Sequence, residues 1–148
     1  MFASWQLKNK NNMKKYPNVT VKIIFRYKNE TLILGHKNGV FSFPGGRMKW
    51  GESILQALNR ELREELNYSL KSEPDLLDVW NYISKNRARH SVMIYFIQQL
   101  AKKPELSSPE KLKILWLNKN SVLLKNIIKE KSFIDKIFNW KSKITNKI

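Results

Sequence analysis

Residues 46–68 read GRMKWGESILQALNRELREELNY, and the rest of the chain is arranged around them. Glu52, Glu61, Glu64 and Glu65 fall in this stretch, although the whole chain has only twelve acidic residues against twenty-eight Lys and Arg. A helix over residues 54–66, turning about 100° per residue, puts Leu55, Leu58, Leu62 and Leu66 in one stripe. That is the spacing of a buried face. Glu61, Glu64 and Glu65 share the adjacent arc, because residues three and four apart are neighbours on a helix. Like charges at Glu61 and Glu65 cost an isolated helix roughly 0.2–0.5 kcal/mol, and a bound cation removes that cost. Carboxylate oxygens suit hard dications, Mg²⁺ or Mn²⁺, whose other positions go to water and phosphate oxygens. The plain alternative is a solvated acidic face.

The residues before the helix favour a site. Residues 43–46, FPGG, break the backbone after an apolar run. Two glycines let the main chain approach a ligand closely and present its carbonyl and amide groups. Glu52 and Ser53 suit a helix start, where acids offset the dipole and short oxygens cap free amides. The unit reads as strand, Gly-rich loop, and a helix with one apolar and one acidic face.

Gly46, Glu52, Arg60, Glu61, Leu62, Glu64 and Glu65 stand at the spacing G-x5-E-x7-R-E-U-x-E-E-x-G-U, where U is aliphatic. The stretch resembles the Nudix box, and the preceding FPGG resembles the MutT-like branch of that family. Two positions depart: Asn67 stands in place of the glycine and Tyr68 in place of an aliphatic residue. The glycine ends the helix in a left-handed turn, for which Asn is the next best residue, so this departure is expected to cost only local stability.

The resemblance implies an α/β fold, the Nudix-type α/β/α sandwich with a mixed sheet. It also implies hydrolysis of a nucleoside diphosphate linked to another group X. Glu61, Glu64 and Glu65 are then the metal ligands, with the Gly46 carbonyl as a fourth, and Mg²⁺ is the cofactor, with Mn²⁺ as its substitute. Arg60 orients a glutamate through a charge-assisted pair. Glu52 is a ligand through water or, preferably, a helix-start acid. The general base lies between a box glutamate, Glu64 or Glu65, and a loop glutamate, for which Glu110 is favoured over Glu105. MutT-like members convert nucleoside triphosphates, oxidised ones included, to the monophosphate and pyrophosphate, and this is the expected reaction. The alternatives are a nucleotide sugar, a dinucleoside polyphosphate, or the 5′ end of an RNA. Arg47, Phe43 and Trp80 are the substrate-binding candidates. Phe41, Tyr82 and Trp116 are further stacking surfaces, although core packing is the commoner role of such aromatics. A monomer or homodimer is expected.

The 148 residues suit one domain, with seventeen aromatics to build a core. A basic arm is expected over residues 1–16, the hydrolase domain over 17–140 and a basic tail over 141–148. The formal charge of +16 favours phosphorylated or polyanionic partners such as RNA. Lys outnumbers Arg by 22 to 6, a bias that AT-rich coding produces equally well. A non-catalytic basic module that binds RNA or protein is the reading from another class, but no Arg-rich or aromatic nucleic-acid motif accompanies the charge. Absence of cysteine excludes disulfides and thiol chemistry. The start lacks a signal-peptide core and no apolar run approaches a membrane span, so a cytoplasmic chain is expected. Strands are expected over residues 19–25, 31–34, 40–43, 76–83, 92–100 and 112–117. A basic hairpin loop with Lys85, Arg87 and Arg89 joins the fourth to the fifth. One amphipathic helix is expected over residues 121–140.

Overall fold

The computed structural model describes residues 15–142. Most of the expected basic arm and tail therefore lies outside the described residues. The elements run β1 (Asn18–Tyr27), β2 (Glu30–Gly35), β3 (Phe41–Ser42), β4 (Gly45–Arg47), α1 (Ile54–Leu66), β5 (Asp75–Ile83), β6 (His90–Gln99), β7 (Lys113–Asn118), α2 (Val122–Ile127) and α3 (Lys131–Asn139). The strands form one mixed sheet in the order β3-β2-β1-β6-β5, with β4 also paired to β1 and β7 to β2. β1 and β6 run parallel, and the other pairs are antiparallel. Among the described residues no helix is long and apolar enough to cross a membrane.

β1 feeds both faces of the sheet, because successive side chains of a strand point to opposite sides. Val21, Ile23 and Phe25 pack with Ala57, Leu58, Leu62 and Leu66 of α1. Ile24 packs on the other side with Leu124, Ile128, Phe133, Ile134 and Ile137. The result is a sandwich of helix, sheet and helices. Leu55 is only partly buried, and the fully buried Ala57 completes the apolar face of α1. Each leucine of that face contributes roughly 2 kcal/mol by leaving water.

Both ends of α1 are fixed by local chemistry. The Ser53 side chain accepts from the Gln56 N–H at 3.2 Å, and the Gln56 side chain accepts from the Ser53 N–H at 2.8 Å. This reciprocal capping box satisfies two free amides. At the other end Asn67 takes the left-handed conformation, φ 50° and ψ 41°. Its N–H donates to Arg63 O, the bond of an αL turn, and the Tyr68 N–H donates to Leu62 O.

Two elements differ from expectation. The glycine segment is a short strand, Gly45–Arg47, antiparallel to Thr20–Lys22. The single helix expected over residues 121–140 is two helices, with Ile128 extended at φ −105° and ψ 98°. An unbroken helix in phase with Leu124 and Ile128 would turn Lys131 and Asp135 toward the sheet. The break instead lets α3 bury Phe133, Ile134 and Ile137. Arg26 secures the end of α3, its Nη1 donating to the carbonyls of Ile137, Phe138 and Trp140 at 2.8, 3.0 and 3.1 Å.

Candidate active site

Each glycine of β4 seats one glutamate. Gly45 has φ +120°, and a Cβ there would collide with the Val21 carbonyl oxygen. Only glycine allows this approach. It brings the Gly45 N–H to within 2.8 Å of Glu65 Oε2. A Cβ on Gly46 would lie 2.5 Å from Glu61 Cδ. The Glu61 carboxylate thus occupies the space that a side chain on Gly46 would need.

Arg60 holds the rest of the acidic face. Its Nε and Nη2 grip the two oxygens of Glu52 at 2.5 and 3.0 Å, and its Nη1 donates to Glu61 Oε1 at 2.8 Å. Nη2 also donates to the Arg47 carbonyl at 2.8 Å, tying the helix to the end of β4. Glu64 is the outermost member, 44% exposed, with Oε2 at 3.4 Å from Arg60 Nη1. The Arg60 bond, and then the Lys49 N–H, hold the Glu52 carboxyl down to about 2. Bonds to Glu52 first, and then to Glu61, raise Arg60 further above its already high value.

Glu65 differs from its neighbours because it is buried, with 5% of its surface exposed. Burial pushes its carboxyl up to about 7; the charges of Glu61 and Glu110 add to this, while the Gly45 N–H and Lys22 oppose it. The field of Glu110 therefore reaches Glu65. Glu105 instead lines a separate cavity with Asn67, Tyr68 and Leu70, at the far end of α1.

On the opposite face of the sheet is a cavity of about 350 Å³, whose walls include Lys22, Phe41, Phe43, Trp80, Tyr95 and Phe133. The Trp80 ring lies 4.7 Å from that of Phe133 and 5.2 Å from that of Tyr95. Phe43 and Trp80 thus reach one cavity. The Arg47 side chain is exposed and is not among the residues lining it. Tyr82 is half exposed, and Trp116 packs edge-on against Tyr27. Lys85, Arg87 and Arg89 are exposed on the β5–β6 hairpin.

Three side chains of this region were not singled out from sequence. Tyr95 and Phe133 gave no signal beyond apolar periodicity. Lys22 did give one: it is a lone cation inside the β-branched run VTVKIIF. Its Nζ donates to the carbonyls of Phe43 at 3.0 Å and Gly45 at 2.6 Å. Burial lowers its pKa, against the pull of Glu65 and Glu61.

The donor set fits a hard dication. All the side-chain donors are carboxylate oxygens, two of them seated by glycines. Among the described residues no three acids or histidines form a preassembled cage, since Arg60 draws Glu52, Glu61 and Glu64 toward itself. Mg²⁺ needs no such cage, because it takes one or two carboxylates and keeps several waters.

A family model described as the NUDIX domain matches residues 16–140. An ADP-ribose pyrophosphatase of Methanocaldococcus jannaschii is 33% identical over 97 residues, 60% of this chain. The chain spans only 57% of that relative's length. Among solved structures, a MutT protein from Methanosarcina mazei has a TM-score of 0.65 at 17% identity, covering 86% of this chain and 95% of that one. A MutT NUDIX hydrolase from Burkholderia pseudomallei has a TM-score of 0.63 at 23% identity, covering 73% and 88%. At these identities the two structures speak for the fold alone.

Proposed function

The chain belongs to the Nudix family, and from that premise we propose that it is a Mg²⁺-dependent pyrophosphohydrolase. Its substrate is a nucleoside diphosphate linked to X, first a nucleoside triphosphate, oxidised or not, cleaved to the monophosphate and pyrophosphate. The observation that carries this reading is the junction at Gly45 and Gly46. There a carboxylate face and an aromatic cavity meet across a single strand. A nucleotide needs both surfaces: an apolar slot for its base and hard-cation chemistry for its phosphates.

Glu61, Glu64, Glu65 and the Gly46 carbonyl would hold the dication, Mg²⁺ or Mn²⁺. When bound, it neutralises charge on the diphosphate and lowers the pKa of a bound water. Arg60 holds Glu52 and Glu61 beside the end of β4 through charge-assisted bonds. Phe43 and Trp80 offer stacking surface to the base. Water attacks one phosphorus and the bridging P–O bond breaks. The water's proton passes to Glu64, at the exposed edge of the acidic face, to Glu65, or to Glu110, whose charge bears on Glu65.

A second reading is hydrolysis of ADP-ribose, favoured by the name of the Methanocaldococcus relative. A panel of nucleoside triphosphates, ADP-ribose and a nucleotide sugar, assayed with Mg²⁺ by product chromatography, separates the two. Glu65→Gln is expected to lower turnover on the order of 100-fold or more. Undiminished turnover in that variant removes Glu65 from the site. RNA binding without turnover of any panel member replaces the enzyme reading with a binding module.

A further inference from the structure

Lys22 sits where the aromatic cavity meets the glutamates. Its Nζ is bonded to Phe43 O, on the cavity wall, and to Gly45 O, whose own N–H holds Glu65. The next residue, Gly46, covers Glu61. The Lys22 side chain itself lines the cavity. An ammonium carries three donors. Two are taken by these carbonyls, and among the described residues no third acceptor engages it. The carbonyls also fix the direction of the nitrogen, so the remaining N–H is held in place. A cation shielded from water is costly unless an anion meets it. Glu65 and Glu61 offset only part of that cost, because burial still lowers the pKa of the lysine.

A nucleotide whose base fills the cavity and whose far phosphate lies on the glutamates must pass this junction. The group it places there is the phosphate nearest the nucleoside. We propose that Lys22 is a specificity residue whose free N–H binds this phosphate, so that the cavity accepts nucleotides and rejects bare nucleosides. The proposal rests on the pyrophosphohydrolase reading above. A lysine that merely stapled β4 to β1 would affect nucleoside and nucleotide alike.

The test measures binding of probes that the reaction does not consume. Calorimetry compares guanosine with GMP and adenosine with AMP, with Mg²⁺ present throughout, on the wild-type chain and on Lys22→Met. The monophosphate is expected to bind the wild type more tightly than its nucleoside. In Lys22→Met that preference is expected to shrink tenfold or more, the scale of a charge-assisted bond. Nucleoside affinity should stay within twofold. The wild type gives a second measurement in case the variant folds poorly: the Nζ resonance of Lys22, assigned with Lys22→Arg, should shift with monophosphate and not with nucleoside. An unchanged preference in a folded Lys22→Met, or a resonance blind to the phosphate, overturns the role of Lys22 and leaves the hydrolase intact. No binding of any probe by the wild type, with no turnover of the substrate panel, overturns both.

Discussion

Gly46→Ala puts a methyl group where Glu61 now lies. The added Cβ falls 2.5 Å from Glu61 Cδ and Oε1 and 2.6 Å from Oε2. Carbon atoms in contact rest near 3.5 Å, so the carboxylate must withdraw by about 1 Å. The fold tolerates this, because Gly46 has no positive φ and the obstacle is the end of a flexible side chain. The cost is the weakened Arg60–Glu61 bond, between side chains each 15% exposed. That is about 1 kcal/mol, offset in part by the 0.4–1 kcal/mol that Ala gains by restricting the unfolded chain. The melting temperature should therefore move by only a few degrees. Metal binding is far less forgiving. Mg²⁺ sits about 2.0–2.1 Å from its ligands, with a tolerance near 0.2 Å. If Glu61 is a ligand as proposed, a 1 Å withdrawal takes it out of the coordination shell, and affinity should fall about tenfold or more. Titration with Mn²⁺ followed by electron paramagnetic resonance, beside a thermal melt, checks both halves. An alanine variant that binds metal within twofold of the parent refutes the claim that Gly46 makes room for a ligand.

Two further substitutions test the frame around the site. Asn67→Ala should cost about 1 kcal/mol, because Asn67 holds a left-handed conformation that Ala resists, while Asn67→Gly should be neutral or slightly stabilising; urea melts in which both variants match the parent contradict this account of the helix end. Arg26→Met removes donors to three carbonyls at the end of α3 and to Gln99 Oε1 at 2.8 Å, for a loss of about 2–3 kcal/mol. Hydrogen exchange should accelerate in residues 131–139 more than in α1, and equal acceleration in both counts against the clamp.

The acidic helix was legible in the sequence because its information is local. The stripe of leucines, the Ser53 cap and the Asn67 turn are each set within a few residues. A mixed sheet flanked by helices followed from the order of elements, and its α/β/α layering from the resemblance to the Nudix box. The break at Ile128 was not legible, because residues 121–140 satisfy a helical apolar pattern well enough alone; burial of Phe133, Ile134 and Ile137 against the sheet decides it. The cavity stayed hidden for a similar reason. Trp80, Tyr95 and Phe133 come from three elements, and no spacing announces that they converge. Lys22 was visible as a misplaced charge, but its partners are carbonyls 21 and 23 residues further on, which a linear reading does not reach.

The parallel ladder joins residues 18–26 to residues 91–99. During synthesis the glutamate helix leaves the ribosome well before the strand that completes the centre of the sheet. Until that strand arrives, β1 keeps one bare edge, and such edges recruit other chains. Pairings this distant in sequence form slowly, since a long loop must close before any contact rewards it. Nascent chains ending before residue 90 should therefore be aggregation-prone, and they should gain resistance to protease only after β6 has emerged.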